Sequence, residues 1–445
     1  MSGLPLPREG AELVVDVDGM DDEGRGRASI GEEADGFDVA VRGALPGDRV
    51  RARVERVWAA RRLVQAVCAS VVDEGPSRAP RVCPHGGPCP ACPLEGADPS
   101  LAIALKRARV ERALSEHGIA VDVDDVVLPE PYVGRRQKVK LVVGGAPGHV
   151  VLGLYAPHSH ALVAAHLCPY VDADVVRAVD EVRRALSSSG AVPGERGVRA
   201  VVARVFSEGV GVVVQSAAPL EARVREALTS LVPRAIASLG VRVESQATNS
   251  LLGGARELLA GPSRLTPREG GPAVDVDAFA QPDGALAAWM TEESARFLVE
   301  GAGVDSVFVD AYAGTGPFTR ALLDAGAPRV FAIEKNPDVR ALASDARVVV
   351  HEGLVGDVAR VLVDRHLEVD GLVADPARRG LVDDVAALAA LRPRRCVLVA
   401  CDADAMGRDV AELVARGFVV ERVVPVDLFP ATPEIETLVF LRRET

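Results

Sequence analysis

The chain has no uninterrupted apolar run long enough for a membrane-spanning helix. Its longest stretch without Asp, Glu, Lys or Arg runs from Leu141 to Val171, and Gly144, Gly145, Pro147, Gly148, Pro157 and several histidines break it. A spanning helix needs roughly 20 continuous apolar residues, so this stretch is expected to form strands joined by turns, and no membrane partner is expected. The beginning of the chain is acidic from Glu9 to Asp38 and lacks the basic start and apolar centre of a secretory signal. A cytoplasmic protein is the expectation. An excess of positive charge is missing too: 51 Lys and Arg against 63 Asp and Glu leave a net charge of −12, which argues against a surface that is basic throughout and holds nucleic acid by that alone.

What is present is a soluble globular composition, 48% hydrophobic and 26% charged, in a chain of 445 residues. That length exceeds one compact core and divides most naturally into two to four domains. Positive charge is concentrated locally. Seven arginines (42, 49, 51, 53, 56, 61 and 62) face only Asp48 and Glu55 between Arg42 and Arg62, and Arg135, Arg136, Lys138 and Lys140 have no acid among them. Such runs serve either as solvated faces or as surfaces for RNA.

Three regions follow from the patterning. Residues 1–72 carry short β-rich runs, Glu12 to Val17, Gly36 to Val41, Asp48 to Trp58 and Leu63 to Val71, spaced as in a small barrel. The segments Glu23-Gly24-Arg25-Gly26-Arg27-Ala28 and Val41-Arg42-Gly43-Ala44-Leu45-Pro46-Gly47-Asp48 resemble the TRAM domain, an OB-fold module of RNA-modifying enzymes. Residues 73–275 begin with a stretch rich in Pro, Gly and Cys, then read as a helix from Pro99 to His117, strands from Val126 to Val171, a helix from Asp172 to Ser187, and a strand pair from Val198 to Gln215 turning at Glu208-Gly209. This is an α+β domain. From 276 to 445, apolar strands alternate with helix-length segments, which indicates a doubly wound, largely parallel sheet. Phe418 to Leu428 and Glu436 to Arg442 leave no room for a helix between them and are expected to form an antiparallel hairpin at one edge.

In such sheets ligands bind beyond the carboxyl ends of the strands. Three polar strand ends stand there: the glycine loop Asp310-Ala-Tyr-Ala-Gly314-Thr-Gly316-Pro317, the sequence Ala374-Asp375-Pro376-Ala-Arg378, and Cys401-Asp402 after the strand from Cys396. The glycines permit a tight turn close to a ligand, and Pro317 suits the first turn of a helix. Glu334 closes the next strand, where a carboxylate can accept both ribose hydroxyls of a nucleotide cofactor. A dinucleotide enzyme uses the same layout, but Thr319 stands where its third glycine would be, which favours S-adenosylmethionine over NAD.

Seven cysteines in a cytoplasmic chain are not expected to be paired as disulfides. Cys83-x5-Cys89-x2-Cys92 is a thiolate cluster, and Cys168 could complete a fourfold site for zinc or an iron–sulfur centre. Spacing leaves both open, and His85 also permits a Cys3His zinc site. Cys68 and Cys396 lie in apolar strands and read as inert.

Together these motifs resemble the S-adenosylmethionine-dependent RNA uracil-C5 (5-methyluridine) methyltransferases, especially the iron–sulfur branch that modifies 23S ribosomal RNA. The resemblance covers nearly the whole chain and includes Phe279-Ala-Gln281-Pro-Asp283 and Phe429-Pro-Ala-Thr-Pro-Glu-Ile-Glu436-Thr. It implies a multidomain α/β monomer: a TRAM barrel, a central α+β domain with a four-cysteine [4Fe-4S] site at Cys83, Cys89, Cys92 and Cys168, and a Rossmann-like methyltransferase domain. Gln281, Tyr312, Gly314, Glu334 and Asp375 would line the cofactor and uracil pocket, with Cys401 as nucleophile and Glu436 as general base. RNA, ribosomal rather than transfer RNA, would be the partner.

The chain departs from the family at several points. Ser-Cys-Asn-Pro becomes Ala400-Cys401-Asp402-Ala403, Gln-x-Asn becomes Gln281-Pro282-Asp283, the cysteine of the glycine loop becomes Ala313, and the His after Phe-Pro becomes Ala431. A carboxylate at Asp402 facing Cys401 would raise the thiol pKa and blunt the nucleophile. A weak or inactive RNA-binding relative is the alternative this raises. RNA cytosine-C5 methyltransferases form another, but they carry a cysteine directly after the proline where this chain has Ala377.

Overall fold

The computed structural model describes residues 7–31, 36–85, 89–157, 159–246 and 252–444, so the parts of the expected domains at 1–6, 32–35, 86–88, 158, 247–251 and 445 lie outside the described residues. The chain is a multidomain α/β protein that forms two compact units. One comprises Met1–Ala104, Pro131–Ala278 and Phe429–Pro433; the other comprises Leu105–Glu130, Phe279–Leu428 and Glu434–Thr445. Among the described residues no helix is long and apolar enough to cross a membrane.

The first unit holds two sheets. Strands β1 (Glu12–Asp16), β2 (Gly19–Met20), β3 (Gly26–Ile30), β4 (Phe37–Arg42), β5 (Arg49–Trp58) and β6 (Leu63–Asp73) lie in the order β1-β5-β6-β4-β3-β2. In β5 the period of two is plain: Val50, Ala52 and Val54 are buried while Arg49, Arg51 and Arg53 face solvent. The arginine run is therefore the outer face of a half-buried strand. Part of it is neutralised, Arg42 by Glu55 at 2.9 Å and Arg51 by Glu12 at 3.3 Å.

Helix α1 (Pro99–Glu116) leads to the second sheet, made of β7 (Lys138–Ala146), β8 (His149–Tyr155), β9 (Leu162–Ala164), β10 (Val198–Phe206), β11 (Gly209–Ser216), β12 (Ser238–Val243) and β13 (Arg256–Ala260). Their order is β13-β12-β11-β10-β7-β8-β9. Helices α2 (Ala173–Ser188) and α3 (Ala222–Thr229) cover one face, where Val175, Val179, Val224 and Leu228 pack on Leu141, Val201, Val212 and Leu239. On the other face Val202, Phe206 and Val213 meet Leu265 and Val276. Strand β12 and helix α3 escape the sequence reading.

The second unit contains α4 (Gly284–Val299), β14 (Val307–Ala311), α5 (Pro317–Asp324), β15 (Arg329–Glu334), β16 (Val348–Glu352), α6 (Val355–Asp364), β17 (Gly371–Ala374), α7 (Asp384–Ala390), β18 (Arg395–Ala400), α8 (Ala403–Val414), β19 (Phe418–Val426) and β20 (Glu436–Arg443). The order is β16-β15-β14-β17-β18-β20-β19, with β14 through β18 parallel and β20 antiparallel to both its neighbours. The expected edge hairpin is present. Strand order reverses between β14 and β17, because β15 and β16 build outward on one side and β17 and β18 on the other. That reversal creates the crevice at which such sheets bind ligands.

Candidate active site

The loop after β14 is shaped by three left-handed residues, Tyr312, Gly314 and Gly316, at φ of 65°, 56° and 82°. A Cβ on Gly316 would come within 2.4 Å of Leu342, so glycine serves both the turn and the close approach there. At Gly314 no atom stands within 4 Å of such a Cβ, and the loop faces open space. The Gly314 amide donates to Glu334 Oε2 at 3.2 Å, and Asn336 N donates to Oε1 at 2.9 Å. The carboxylate at the end of β15 is thus held against the glycine loop. Tyr312 donates its hydroxyl to Asp384 Oδ2 at 2.6 Å, at the start of α7; burial and that carboxylate push its phenol up. Gln281 lies in the turn ahead of α4, whose first amides, Ala285 and Leu286, donate to Asp283 Oδ1 at 3.0 and 3.1 Å. Asp283 is therefore a helix cap.

At the strand reversal sit two carboxyls. Asp310 is fully buried; Thr319 Oγ1 donates to its Oδ2 at 2.6 Å, while Oδ1 has no partner among the described residues. Burial pushes Asp310 up to about 7, and Asp375, on the neighbouring strand end, is pushed up to about 7 by burial and by Asp310. A neutral carboxyl at Asp375 can donate a hydrogen bond, and an ionised one can accept it. Asp310 was readable only as the first residue of the glycine motif; its enclosure was not.

Cys401 follows β18 directly. Ala400 is in register with Thr437 in the antiparallel β20, so one further step sets Cys401 opposite Glu436. The thiol is half-buried, and burial, then the Glu436 charge, push it up to about 11, with Arg378 acting in the other direction. Glu436 is 2% exposed, and burial and Asp375 raise it well above the usual carboxylate range, again against Arg378. Cys401, Glu436 and the exposed Arg378 thus lie close enough for their charges to act on one another. Arg378 is a site residue that the sequence reading quoted only as part of a motif. Its loop is fastened to α8, where Leu381 N donates to Asp409 Oδ2 at 2.6 Å and Arg408 Nη2 donates to Arg379 O at 2.7 Å.

Asp402 corrects one expectation. Its carboxylate caps α8 by accepting the Ala405 amide at 2.9 Å and is not among the charges that raise Cys401. The raised thiol comes from burial and Glu436 instead. Cys396 is inert as expected, buried in β18 and pushed up to about 12, whereas Cys68 is only half-buried in β6.

In the first unit Cys83, Cys92 and Cys168 pack with Tyr170, Val133 and Ala431. Glu95 Oε1 accepts the amides of Val82 and Cys83 at 2.7 Å each, and Tyr170 donates to its other oxygen. Burial, with Cys168 and Cys89 adding to it, pushes Cys92 up to about 12, and Arg136 acts against the shift on both Cys92 and Cys168. Cys83 likewise feels Cys168 and Cys89. The four thiols therefore share one neighbourhood, although among the described residues no three of His, Cys, Asp and Glu stand grouped so that they could hold a metal ion.

No family model matches the chain. A search of curated proteins finds the 23S rRNA (uracil(1939)-C(5))-methyltransferase RlmD of Alkalilimnicola ehrlichii, 28% identical and aligned over 99% of this chain and 98% of that protein. An RlmD of Pectobacterium atrosepticum is 26% identical over 97% of this chain and 94% of its own length, and an uncharacterised RNA methyltransferase of Geobacter sulfurreducens is 29% identical over 98% and 91%. This chain is a relative of the RNA methyltransferases. Its fold is that of the tRNA (uracil-54, C5)-methyltransferase of Pyrococcus abyssi, solved with S-adenosyl-L-homocysteine: the TM-score is 0.74 at 20% identity, over 96% of this chain and 99% of that one. The resemblance of the motifs to RNA uracil-C5 methyltransferases is thus matched by relatives of that name over nearly the full length.

Proposed function

We infer that this chain transfers a methyl group from S-adenosylmethionine to C5 of a uridine in RNA, with 23S ribosomal RNA as the substrate class. The observation that carries the reading is the placement of Cys401 opposite Glu436 at the carboxyl end of the sheet, beside the strand reversal. The names of the relatives support the substrate class.

The residues suit the chemistry. Uracil C5 is a poor nucleophile until a group adds at C6, and a thiolate can add there and later leave. Cys401 gives up its thiol proton to solvent, its Sγ bonds to C6, and the C5–C6 π electrons shift onto C5 and the C4 carbonyl. S-adenosylmethionine would supply the methyl: C5 bonds to it as its bond to the sulfonium sulfur breaks, leaving S-adenosyl-L-homocysteine. Glu436 then takes the proton from C5, the C6–S bond breaks, and Cys401 is released. Asp375 holds the uracil N3–H, while Gln281, Tyr312, Gly314 and Glu334 form the cofactor side of the pocket. The ring must leave its stack to meet this geometry. Residues 1–72 act as a TRAM module on the RNA.

Cys83, Cys89, Cys92 and Cys168 would hold a [4Fe-4S] cluster. Four soft sulfur donors with Arg136 nearby suit that group by their chemistry, although among the described residues they are not drawn together around one point, and zinc is the other occupant such a set accepts. Methyl transfer needs no electron, so the cluster would order this region of the chain. Iron with broad visible absorbance in anaerobically purified protein supports it; colourless protein holding zinc overturns it.

The decisive experiment follows labelled methyl from S-adenosylmethionine into unmodified ribosomal RNA, with digestion to nucleosides. The expected product is 5-methyluridine from the wild type and none from Cys401→Ala. Equal incorporation by both removes Cys401 from the mechanism, and no incorporation by the wild type favours a silent RNA-binding relative.

A further inference from the structure

Away from the active site, the second face of the central sheet sets cations against one another. Lys138 on β7 and Arg204 on β10 are direct cross-strand partners, and Lys140 follows two residues along on the same face. Like charges placed opposite each other in a sheet are destabilising. The arginines of β12 and β13 are matched: Arg242 bonds to Asp277 at 2.6 Å and Arg256 to Asp275 at 2.5 Å. Among the described residues, Lys138, Lys140 and Arg204 make no such ion pair. Lys138 spends two of its protons on the carbonyls of Asp277 and Ala278, at 3.1 and 2.5 Å.

Arg204 makes the strongest case. It is 7% exposed, lies 4.8 Å from the centre of the Phe206 ring, and its Nη1 has no hydrogen-bond partner among the described residues. A buried charged donor without an acceptor is costly. Burial, Lys140 and Arg204 depress Lys138 to about 8 against the Asp277 charge, and Glu269 is the acid that acts on Arg204. Three cations held together at this cost fit an anion with several acceptor oxygens.

We propose that Lys138, Lys140 and Arg204 form a subsite for an RNA backbone phosphate, with exposed Lys140 meeting the phosphate first and Arg204 Nη1 supplying the inner hydrogen bond. The inference rests on the reading that RNA is the substrate and adds where its backbone is held. A phosphate contact positions the strand without reading sequence, so this subsite orients RNA of any sequence.

The test measures binding of a fluorescent single-stranded oligouridine across a salt series. Each phosphate contact on a single strand contributes about 0.7 to the slope of log affinity against log salt. Lys140→Ala is expected to lower affinity roughly threefold to tenfold and flatten the slope by about 0.7, with S-adenosylmethionine binding unchanged. Arg204→Ala should do the same, and because it empties a buried position, Lys140→Ala keeps the test independent of folding. Arg223→Ala, on helix α3 over the opposite face, removes the same charge and should change neither quantity. If Lys140→Ala matches wild type in affinity and slope, or Arg223→Ala weakens binding equally, the subsite is wrong. Wild-type methyl transfer, read separately, shows whether the functional reading stands in either case.

Discussion

Lys106 and Asp427 form an ion pair in which neither side chain reaches solvent. Asp427 follows β19 directly and precedes the segment that leads to Glu436, so the pair fixes α1 to the sheet edge from which Glu436 emerges. Burial works against the charge on Lys106 and Asp427 sustains it.

Removing one partner takes from the other its buried counter-charge, which typically costs about 3–5 kcal/mol. Lys106→Ala is therefore expected to lower the urea midpoint sharply. Replacing both residues, as in Lys106→Met with Asp427→Leu, should cost much less. A double variant as unstable as the single one would show that packing, not the stranded charge, sets the loss.

Asp402 predicts a tolerant substitution beside Cys401. Its carboxylate serves α8 as an N-cap, and asparagine caps as well as aspartate. Asp402→Asn should retain both thermal stability and methyl transfer. Asp402→Ala should lose about 1 kcal/mol by removing the cap, while the pH dependence of the rate, governed by Cys401 and its neighbours Glu436 and Arg378, stays in place. A shift of that pH profile in Asp402→Asn would show that the carboxylate acts on the thiol after all.

The alternation of strands and helices in the second unit is legible because parallel strands covered on both faces read as nearly continuous apolar runs. The positions of Cys401 and Glu436 are legible as well, since each stands at the end of such a run. Their register is not. That Ala400 meets Thr437 depends on how β20 returns, and no local pattern states it. β2 and β3 escape because their glycines and arginines break the apolar alternation. Segment 105–130 falls in the second compact unit and 429–433 in the first, an exchange that only long-range packing decides. Asp402 shows the converse: the residue was visible, and the direction of its side chain was not.

The Asp310 and Asp375 carboxyls give the chain a characteristic response to pH. Both are pushed up to about 7, chiefly by burial, whereas an unfolded aspartate titrates near 3.9. Between these values the folded chain binds more protons than the unfolded one, so stability falls as pH rises through that window and levels off above it. While one such group titrates, the loss reaches up to about 1.4 kcal/mol per pH unit. Melting of the cofactor-free protein at about pH 5 and about pH 7.5 should show this decline, and Asp310→Asn should flatten it. An unchanged decline in the variant would assign it to other groups.

Glu436 offers the sharpest separation of steps. In the proposed mechanism Glu436, next in register to Cys401, takes the C5 proton after the methyl has arrived. Glu436→Gln keeps shape and hydrogen-bonding capacity but cannot accept that proton. Turnover should fall by about 10²–10⁴-fold, the usual contribution of a positioned base. Addition and methyl transfer should still proceed, so the enzyme should accumulate joined to RNA through Cys401. Denaturing electrophoresis with labelled RNA should show a slower band in Glu436→Gln that disappears in Glu436→Gln with Cys401→Ala. If Glu436→Gln loses turnover without any joined species, Glu436 acts before or during addition, and the proton acceptor must be sought at Asp375, the other carboxyl with a raised pKa beside it.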